Sequence, residues 1–254
     1  RTKMPELPEV ETVCLALSQI LINSKVSNIN ILRKDLRWKI KKTIKSDLEE
    51  DFFKKPYRRG KYILIPTFKE NILLIHLGMS GQIKIRLNKN HLSKHDHFRM
   101  IIETSEKKIY SVIYNDPRRF GFIDLFNKRD IKDHFLLKNI GVEPLSKNLN
   151  IEYIQRKISK RSKCIKNILM DQTIIAGIGN IYASEILFKA KINPLRGANS
   201  LNESDLKQII YATKFILKRS INLGGTSIRN HLQPDGKLGY FAQKLQVYGK
   251  IKQK

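Results

Sequence analysis

Apolar positions in this chain change their period part-way along. Between residues 70 and 126 they fall into short runs of β character. QIKIRL (82–87) alternates Ile83, Ile85 and Leu87 with polar partners, which predicts a strand with those three turned inward. ENILLIHLG (70–78), FRMIIE (98–103), KIYSVIYND (108–116) and FGFIDLF (120–126) are rich in β-branched and aromatic residues and are separated by Gly, Pro, Asn and Lys. Runs this closely spaced predict a β-sandwich or barrel. One helix is expected ahead of them. Pro8 suits a first helical position, Glu9 and Glu11 favour the positive end of a helix, and Val10, Val13, Leu17 and Leu21 share a face.

After residue 150 the spacing turns helical, with Ile151, Ile154 and Ile158 three and four apart. Ser200 and Glu203 are placed to form a capping box. They would open a helix carrying Leu206, Ile209, Ile210, Leu217 and Ile221, ended by Gly224-Gly225. The expected fold class is α+β, with an N-terminal β-sandwich and leading helix over 4–130. A linker over 131–149, a helical domain over 150–225 and a last region over 226–254 complete the division.

Charge narrows the partner. The 254 residues hold 49 Lys+Arg against 23 Asp+Glu, a formal net charge of +26, which points to a polyanion. A hydrophobic content of 41% excludes a disordered basic tail. The longest apolar run is about five residues, far short of the ~20 that span a bilayer. The stretch Val13 to Ile22 follows Glu6, Glu9 and Glu11, where a signal peptide would carry positive charge. Two distant cysteines, Cys14 and Cys164, imply a reducing, cytoplasmic setting without a disulfide framework. They cannot make a four-thiolate zinc site.

The segment MPELPEVET (4–12) carries the most chemistry. Removal of Met4 would leave Pro5 with a free secondary amine. An α-amino group has a pKa of ~7.7–8.0 against ~10.4 for lysine, so far more of it is unprotonated at neutral pH. Such an amine can attack an electrophilic carbon and form a covalent iminium. Glu6 beside it could move the protons. The bland alternative is an N-cap and helix start. GIGN (177–180) reads as a tight turn between helices, where glycines let backbone amides approach a phosphate.

These motifs, with RGKY (59–62), HLGMSG (76–81), KHDH (94–97), NDPRRFG (115–121), LMDQ (169–172), GIGNIYASE (177–185) and DGKLGYFAQKLQVYG (235–249), closely resemble those of the bacterial formamidopyrimidine-DNA glycosylases. The resemblance runs from Met4 to about Lys250. The sibling group that prefers oxidised pyrimidines is less similar, because its start usually reads PEGPE. The resemblance implies a monomeric, bifunctional repair enzyme that excises oxidised purines, such as 8-oxoguanine, from double-stranded DNA in the bacterial cytoplasm. It also implies a helix–two-turn–helix element around GIGN.

Residue roles follow from the same likeness. Pro5 resembles the nucleophile that attacks the sugar C1′, Glu6 the carboxylate that assists ring opening, and Lys61 the lysine that contacts phosphate and assists strand cleavage. Glu9 resembles an organising carboxylate. A glycosylase must extrude its target nucleotide, and Met79, Arg118 and Phe120 match the residues that fill the void. Met and Phe can wedge into a base stack, and Arg can hydrogen-bond the orphaned cytosine. Asn180 and Arg161 match DNA contacts, with His95 and His76 beside them, and Lys166 matches a lysine near the damaged base. QPDGKLGYF (233–241) resembles a loop over the flipped base. Taken without the likeness, Met79 and Phe120 could pack a core, Arg118 and Arg119 could sit in a solvated turn, Lys61 could be one surface lysine among Lys54, Lys55, Arg58 and Arg59, and His95 could be structural.

Two departures stand out. Arg1-Thr2-Lys3 precede Met4, and while they persist the Pro5 nitrogen is an unreactive amide. Relatives continue after VYG into a four-cysteine finger holding one structural zinc and a phosphate-gripping arginine; this sequence reads VYGKIKQK, so no cofactor is expected in it. The rival readings are a catalytically silent DNA-binding protein of the same fold and, from charge alone, a basic RNA-binding protein.

Overall fold

A computed structural model describes residues 4–87, 91–226 and 241–249. The leading helix α1 spans Leu7–Leu21 and buries Val10, Val13, Leu17 and Leu21 on one face, as the spacing predicts. Strand β1 (Lys25–Ile31) and a short helix α2 (Ile44–Leu48) follow. The remaining strands are β2 (Tyr57–Arg59), β3 (Tyr62–Pro66), β4 (Asn71–His76), β5 (Gln82–Leu87), β6 (Asp96–Glu103), β7 (Ile109–Asn115) and β8 (Phe122–Asn127).

They form two four-stranded sheets, ordered β1-β6-β7-β5 and β2-β3-β4-β8, with every pair antiparallel. The sheets face each other across a core that includes Ile63, Ile65, Leu73, Ile75, Met100, Ile102 and Val112, closed by α1. The second sheet is also covered on its outer side. Leu64, Ile72, Leu74, Phe122 and Phe126 pack there against Leu137, Leu136 and Ile140. That double burial explains the unbroken apolar character of β3 and β4.

The inward alternation expected of 82–87 holds only at its start. Ile83 is buried, Ile85 is half-buried and Leu87 is exposed. β5 is an edge strand, covered by a neighbouring strand on one side only.

The C-terminal part is helical: α3 (Ile151–Ile158), α4 (Ile165–Met170), α5 (Asn180–Ala190) and α6 (Glu203–Asn222). Its core includes Leu149, Ile154, Ile158, Ile168, Ile186, Leu206 and Leu217. The capping box lies two residues later than the Ser200/Glu203 pair expected. Asn202 Oδ1 accepts from Asp205 N (2.9 Å), and Asp205 Oδ2 accepts from Asn202 N (3.0 Å). Ser200 instead donates to the Gly197 carbonyl, and Glu203 pairs with Lys207. Residues 131–149 divide between the cores, with Leu137 on the outer sheet face and Leu149 among the helices. No described helix is long and apolar enough to cross a membrane.

Candidate active site

The two halves meet at the start of α1. Glu6 sits directly before that helix, almost fully buried, against the first turn of α5. Its Oε2 accepts from Gly179 N (2.7 Å) and Tyr182 N (3.3 Å), and its Oε1 from Ile181 N (2.9 Å). The unpaired amides of a helix N-terminus thus converge on a carboxylate. Burial nevertheless dominates its titration. Desolvation, with the nearby Glu9, pushes the Glu6 pKa up to about 7, against the lowering pull of Lys61 and the amides. A carboxyl titrating there can both give and take a proton at neutral pH.

The turn that presents these amides is held by Gln172. Its side-chain amide donates to the carbonyls of Met170 (2.9 Å) and Ile178 (2.7 Å), and its oxygen accepts from Gly177 N (2.8 Å). Gly177 has φ +84, and a Cβ there would lie 2.7 Å from Leu7 Cβ. Its carbonyl accepts from Leu7 N (3.0 Å), so the turn and the start of α1 are pinned together. Pro5, one residue ahead of Glu6, is buried at this junction, and Met4 is exposed.

Glu9 organises the same corner. Its Oε2 accepts from Glu6 N (2.9 Å). Its Oε1 accepts from the Tyr182 hydroxyl (2.7 Å) and from the amide and hydroxyl of Thr226 (2.8 and 2.7 Å). Thr226 is the last described residue before 227–240, so residues 233–240 of the expected base-covering loop lie outside the described residues.

Lys61 occupies the turn between β2 and β3 and is 7% exposed, so it is no ordinary surface lysine. Burial lowers its pKa, and Glu6 and Glu9 act in the opposite sense. Its turn is clamped from both halves. Arg58 reaches Glu11 of α1 (2.6 Å), Glu143 (2.7 Å) and the Gly60 carbonyl (2.9 Å). Arg59 reaches Glu143 (2.9 Å) and the carbonyls of Ile140 and Gly141 (2.7 and 2.6 Å), while Gly60 N donates to Glu143 (2.7 Å). Against the burial that would raise it, Arg58 holds the Glu143 carboxyl below the usual range. Neither Arg58 nor Arg59 belongs to a solvated charge run.

Met79, Arg118 and Phe120 lie on two adjoining loops, after β4 and before β8. Buried Asp116 joins them, accepting from Ser80 Oγ, Gly121 N (2.9 Å) and the Tyr114 hydroxyl (3.2 Å). Arg118 N donates to Ser80 Oγ (3.1 Å). Phe120 is 44% exposed, with the Arg118 guanidinium 4.7 Å from its ring centre. Both therefore stand at the surface rather than in a core. His95 flanks this turn, its carbonyl accepting from Asp116 N (3.0 Å). His76, at the end of β4, stacks on Phe122 (5.0 Å), and burial, then the charges of Lys61 and Arg37, depresses its pKa to about 4, leaving a neutral imidazole.

On the helical side, Asn180 opens α5 and is exposed, its amide 3.5 Å from the Tyr248 hydroxyl. Arg161 pairs loosely with Asp171 (3.4 Å). Lys166 lines a separate cleft with Phe188, Lys191 and Tyr248, apart from the pocket that holds Lys61 and His76. The structure thus gathers Glu6, Lys61 and buried Pro5, and sets Met79, Arg118, Phe120 and His95 on one pair of loops.

Several organising residues were not singled out in the sequence. Gln172, Asp116 and Tyr182 sit inside the quoted motifs, and a buried polar side chain there needs partners. Glu185, also in a motif, accepts from the amides of Gln246, Val247 and Tyr248 (2.9, 2.9 and 2.8 Å) and ties the C-terminal segment to α5. Glu143 lies outside every motif and carried no signal.

Cys14 belongs to the sandwich core and Cys164 precedes α4 in the helical part, so they do not fit a shared zinc ion. Among the described residues no group of three or more His, Cys, Asp and Glu could hold a metal.

Residues 4–123 match the formamidopyrimidine-DNA glycosylase N-terminal domain, and residues 140–231 match the formamidopyrimidine-DNA glycosylase H2TH domain. The formamidopyrimidine-DNA glycosylase of Zymomonas mobilis is 42% identical over 247 residues, covering 97% of this chain and 89% of that protein. That of Ruthia magnifica is 43% identical over 246 residues, covering 97% and 88%. A crystal structure of Lactococcus lactis Fpg with abasic-site DNA is similar at a TM-score of 0.87 and 33% identity, covering 98% of this chain and 90% of that one.

Proposed function

Because this chain belongs to the formamidopyrimidine-DNA glycosylase family, we propose that it excises oxidised purines from duplex DNA through a Pro5 iminium and then cleaves the strand. The observation that carries this reading is the buried Glu6 carboxyl, held by three amides next to Pro5 and titrating near neutrality.

The chemistry runs from the free secondary amine of Pro5. Its lone pair bonds to the sugar C1′ as the C1′–base bond breaks and the base departs with that electron pair. The nitrogen gives up its N–H proton, which neutralises the departing base; Glu6 delivers a proton to the ring oxygen, the C1′–O bond opens to leave a hydroxyl, and the freed nitrogen lone pair turns the C1′–N bond into an iminium. The iminium acidifies C2′–H. Loss of that proton expels the 3′ phosphate, and Lys61 neutralises phosphate charge as it leaves. Arg118 and Phe120 fill the gap opened by the extruded nucleotide. Asn180 and the basic surface hold the backbone, giving salt-dependent affinity.

The reaction requires Pro5 as first residue, since a nitrogen acylated by Met4 has no available lone pair. With Met4 retained, the same cleft binds duplex without chemistry. The test is a duplex with 8-oxoguanine opposite cytosine, incubated with protein whose first residue is Pro5. Release of free base together with strand scission supports the reading. An intact duplex, or release of undamaged guanine at the same rate, refutes it.

A further inference from the structure

Helix α6 buries one face and leaves the other uncovered. Leu206, Ile209, Ala212, Ile216 and Leu217 enter the helical core. Lys207, Tyr211, Lys214, Phe215 and Lys218 share the opposite face. From Leu206 to Asn222 the helix carries the cations Lys207, Lys214, Lys218 and Arg219 and no acid. Tyr211 is 58% exposed and Phe215 37%, and their rings stack with centres 6.0 Å apart. Helix α5 adds one more charge. The Lys189 ammonium, in its last turn, lies 4.0 Å from the Phe215 ring centre and 5.6 Å from that of Tyr211. Among the described residues no carboxylate lies within 4.0 Å of Lys189, Lys214 or Lys218. Exposed rings clustered with such cations suit a partner that brings an apolar group and an anion together.

The patch lies away from the reacting centre. Nine residues of α5, roughly 14 Å of helix, separate Lys189 from Asn180 at the turn that holds Glu6. Charge and shape select the occupant. A second copy brings the same net charge of +26 and is repelled. Duplex DNA supplies phosphates but keeps its bases stacked inside, so the rings would stay uncovered. An unpaired base needs an open ring face, and Lys189 covers that of Phe215. A protein segment with apolar side chains among its carboxylates meets both demands. The carboxylates pair with Lys189, Lys214 and Lys218, and an apolar side chain covers the rings.

We propose that the exposed face of α6, with Lys189, is a docking surface for an acidic segment of a partner protein that carries apolar side chains. The inference uses none of the Pro5 chemistry and goes beyond the glycosylase reading. Because the patch and the Glu6 corner are separate, the protein holds the segment and a DNA duplex at the same time.

The probe is a short dye-labelled synthetic peptide in which aspartates alternate with phenylalanine and leucine, titrated with the whole chain at near-physiological salt and followed by fluorescence anisotropy. Two control peptides replace the apolar residues by serine or the aspartates by lysine. The expected result is saturable binding of the first peptide, binding about tenfold weaker with the serine control, and none with the lysine control. Tyr211→Ala and Lys189→Glu should each weaken binding about tenfold, the loss of one anchoring contact. Lys69→Glu makes the same change of charge in the exposed turn between β3 and β4 and should leave binding unaltered. Excess duplex should not displace the peptide. No saturable binding, equal binding of the serine control, or equal weakening by Lys69→Glu and Lys189→Glu overturns the proposal. Displacement by duplex or by a thymidine strand assigns the patch to nucleic acid, and sedimentation showing a dimer that Tyr211→Ala dissociates assigns it to a second copy; either also overturns it. Base release from an 8-oxoguanine duplex is scored separately, so its failure counts against the glycosylase reading alone.

Discussion

Glu6 and Gly179 fix each other across the junction of the two halves. The Gly179 amide donates to Glu6 Oε2 at 2.7 Å, and a Cβ on residue 179 would lie 2.5 Å from Glu6 Cδ. Gly179 has φ −129 and ψ −159, a backbone that any residue adopts. Glycine is needed there because a carboxylate occupies the place of a side chain.

Gly179→Ala should therefore push Glu6 off its amides without unfolding α5. Forcing a methyl into such a packed contact costs about 1–3 kcal/mol. Base excision should fall roughly tenfold or more, by the same energy scale applied to the barrier. Single-turnover rates on an 8-oxoguanine duplex, set against duplex affinity, check this. An unchanged rate would show that the carboxylate position is not critical.

The raised pKa of Glu6 has a definite sign in stability. The folded protein holds the Glu6 proton more tightly than the unfolded chain, whose value is 4.5. The stability this lends is complete below about 4.5 and is lost as pH rises through about 7. Glu6→Gln should remove that slope, gaining roughly 3 kcal/mol relative to the parent above neutrality. It should also abolish base excision while keeping duplex binding. Denaturant melts of both proteins across this pH interval measure the difference. Parallel curves would mean that Glu6 stays ionised in the folded state.

Arg118 stands exposed beside Phe120, with its backbone anchored to Ser80 and thereby to Asp116. A side chain so placed can read the base left unpaired by extrusion. Arg118→Ala should reduce the preference for cytosine opposite the lesion by roughly 10–100-fold, the range of one bidentate base contact of about 1–3 kcal/mol. Excision rates against all four opposite bases check this, and an unaltered preference removes Arg118 from that role.

What the sequence made legible follows a physical divide. The α1 face and the helical C-terminal part were readable because burial on one side imposes a period, and five of the strands because β-branched and aromatic runs stand between turn residues. β1 escaped because a bulge between Val26 and Asn28 breaks its alternation. β3 escaped because its run, Tyr62–Pro66, is only five residues long, follows the cations of 58–61 and ends in a proline, which argues against a strand. In the site, Pro5, Glu6 and Lys61 carry recognisable chemistry, but the partners that hold them do not. Arg58 reads as one cation among several until Glu11 and Glu143, 47 residues before it and far beyond it in the chain, close on its guanidinium. Such pairings depend on tertiary placement, which no local spacing encodes.

The central claim is that the Pro5 nitrogen bonds to the sugar while Glu6 manages the protons. Borohydride reduction during turnover converts an iminium into a stable protein–DNA link, and peptide mass mapping locates it. The account predicts an adduct on the residue 5 nitrogen of protein that starts at Pro5, formed with 8-oxoguanine duplex and lost in Pro5→Gly or in protein that keeps Met4. An adduct on Lys61 or another lysine, or efficient base release with no trappable adduct, would contradict it.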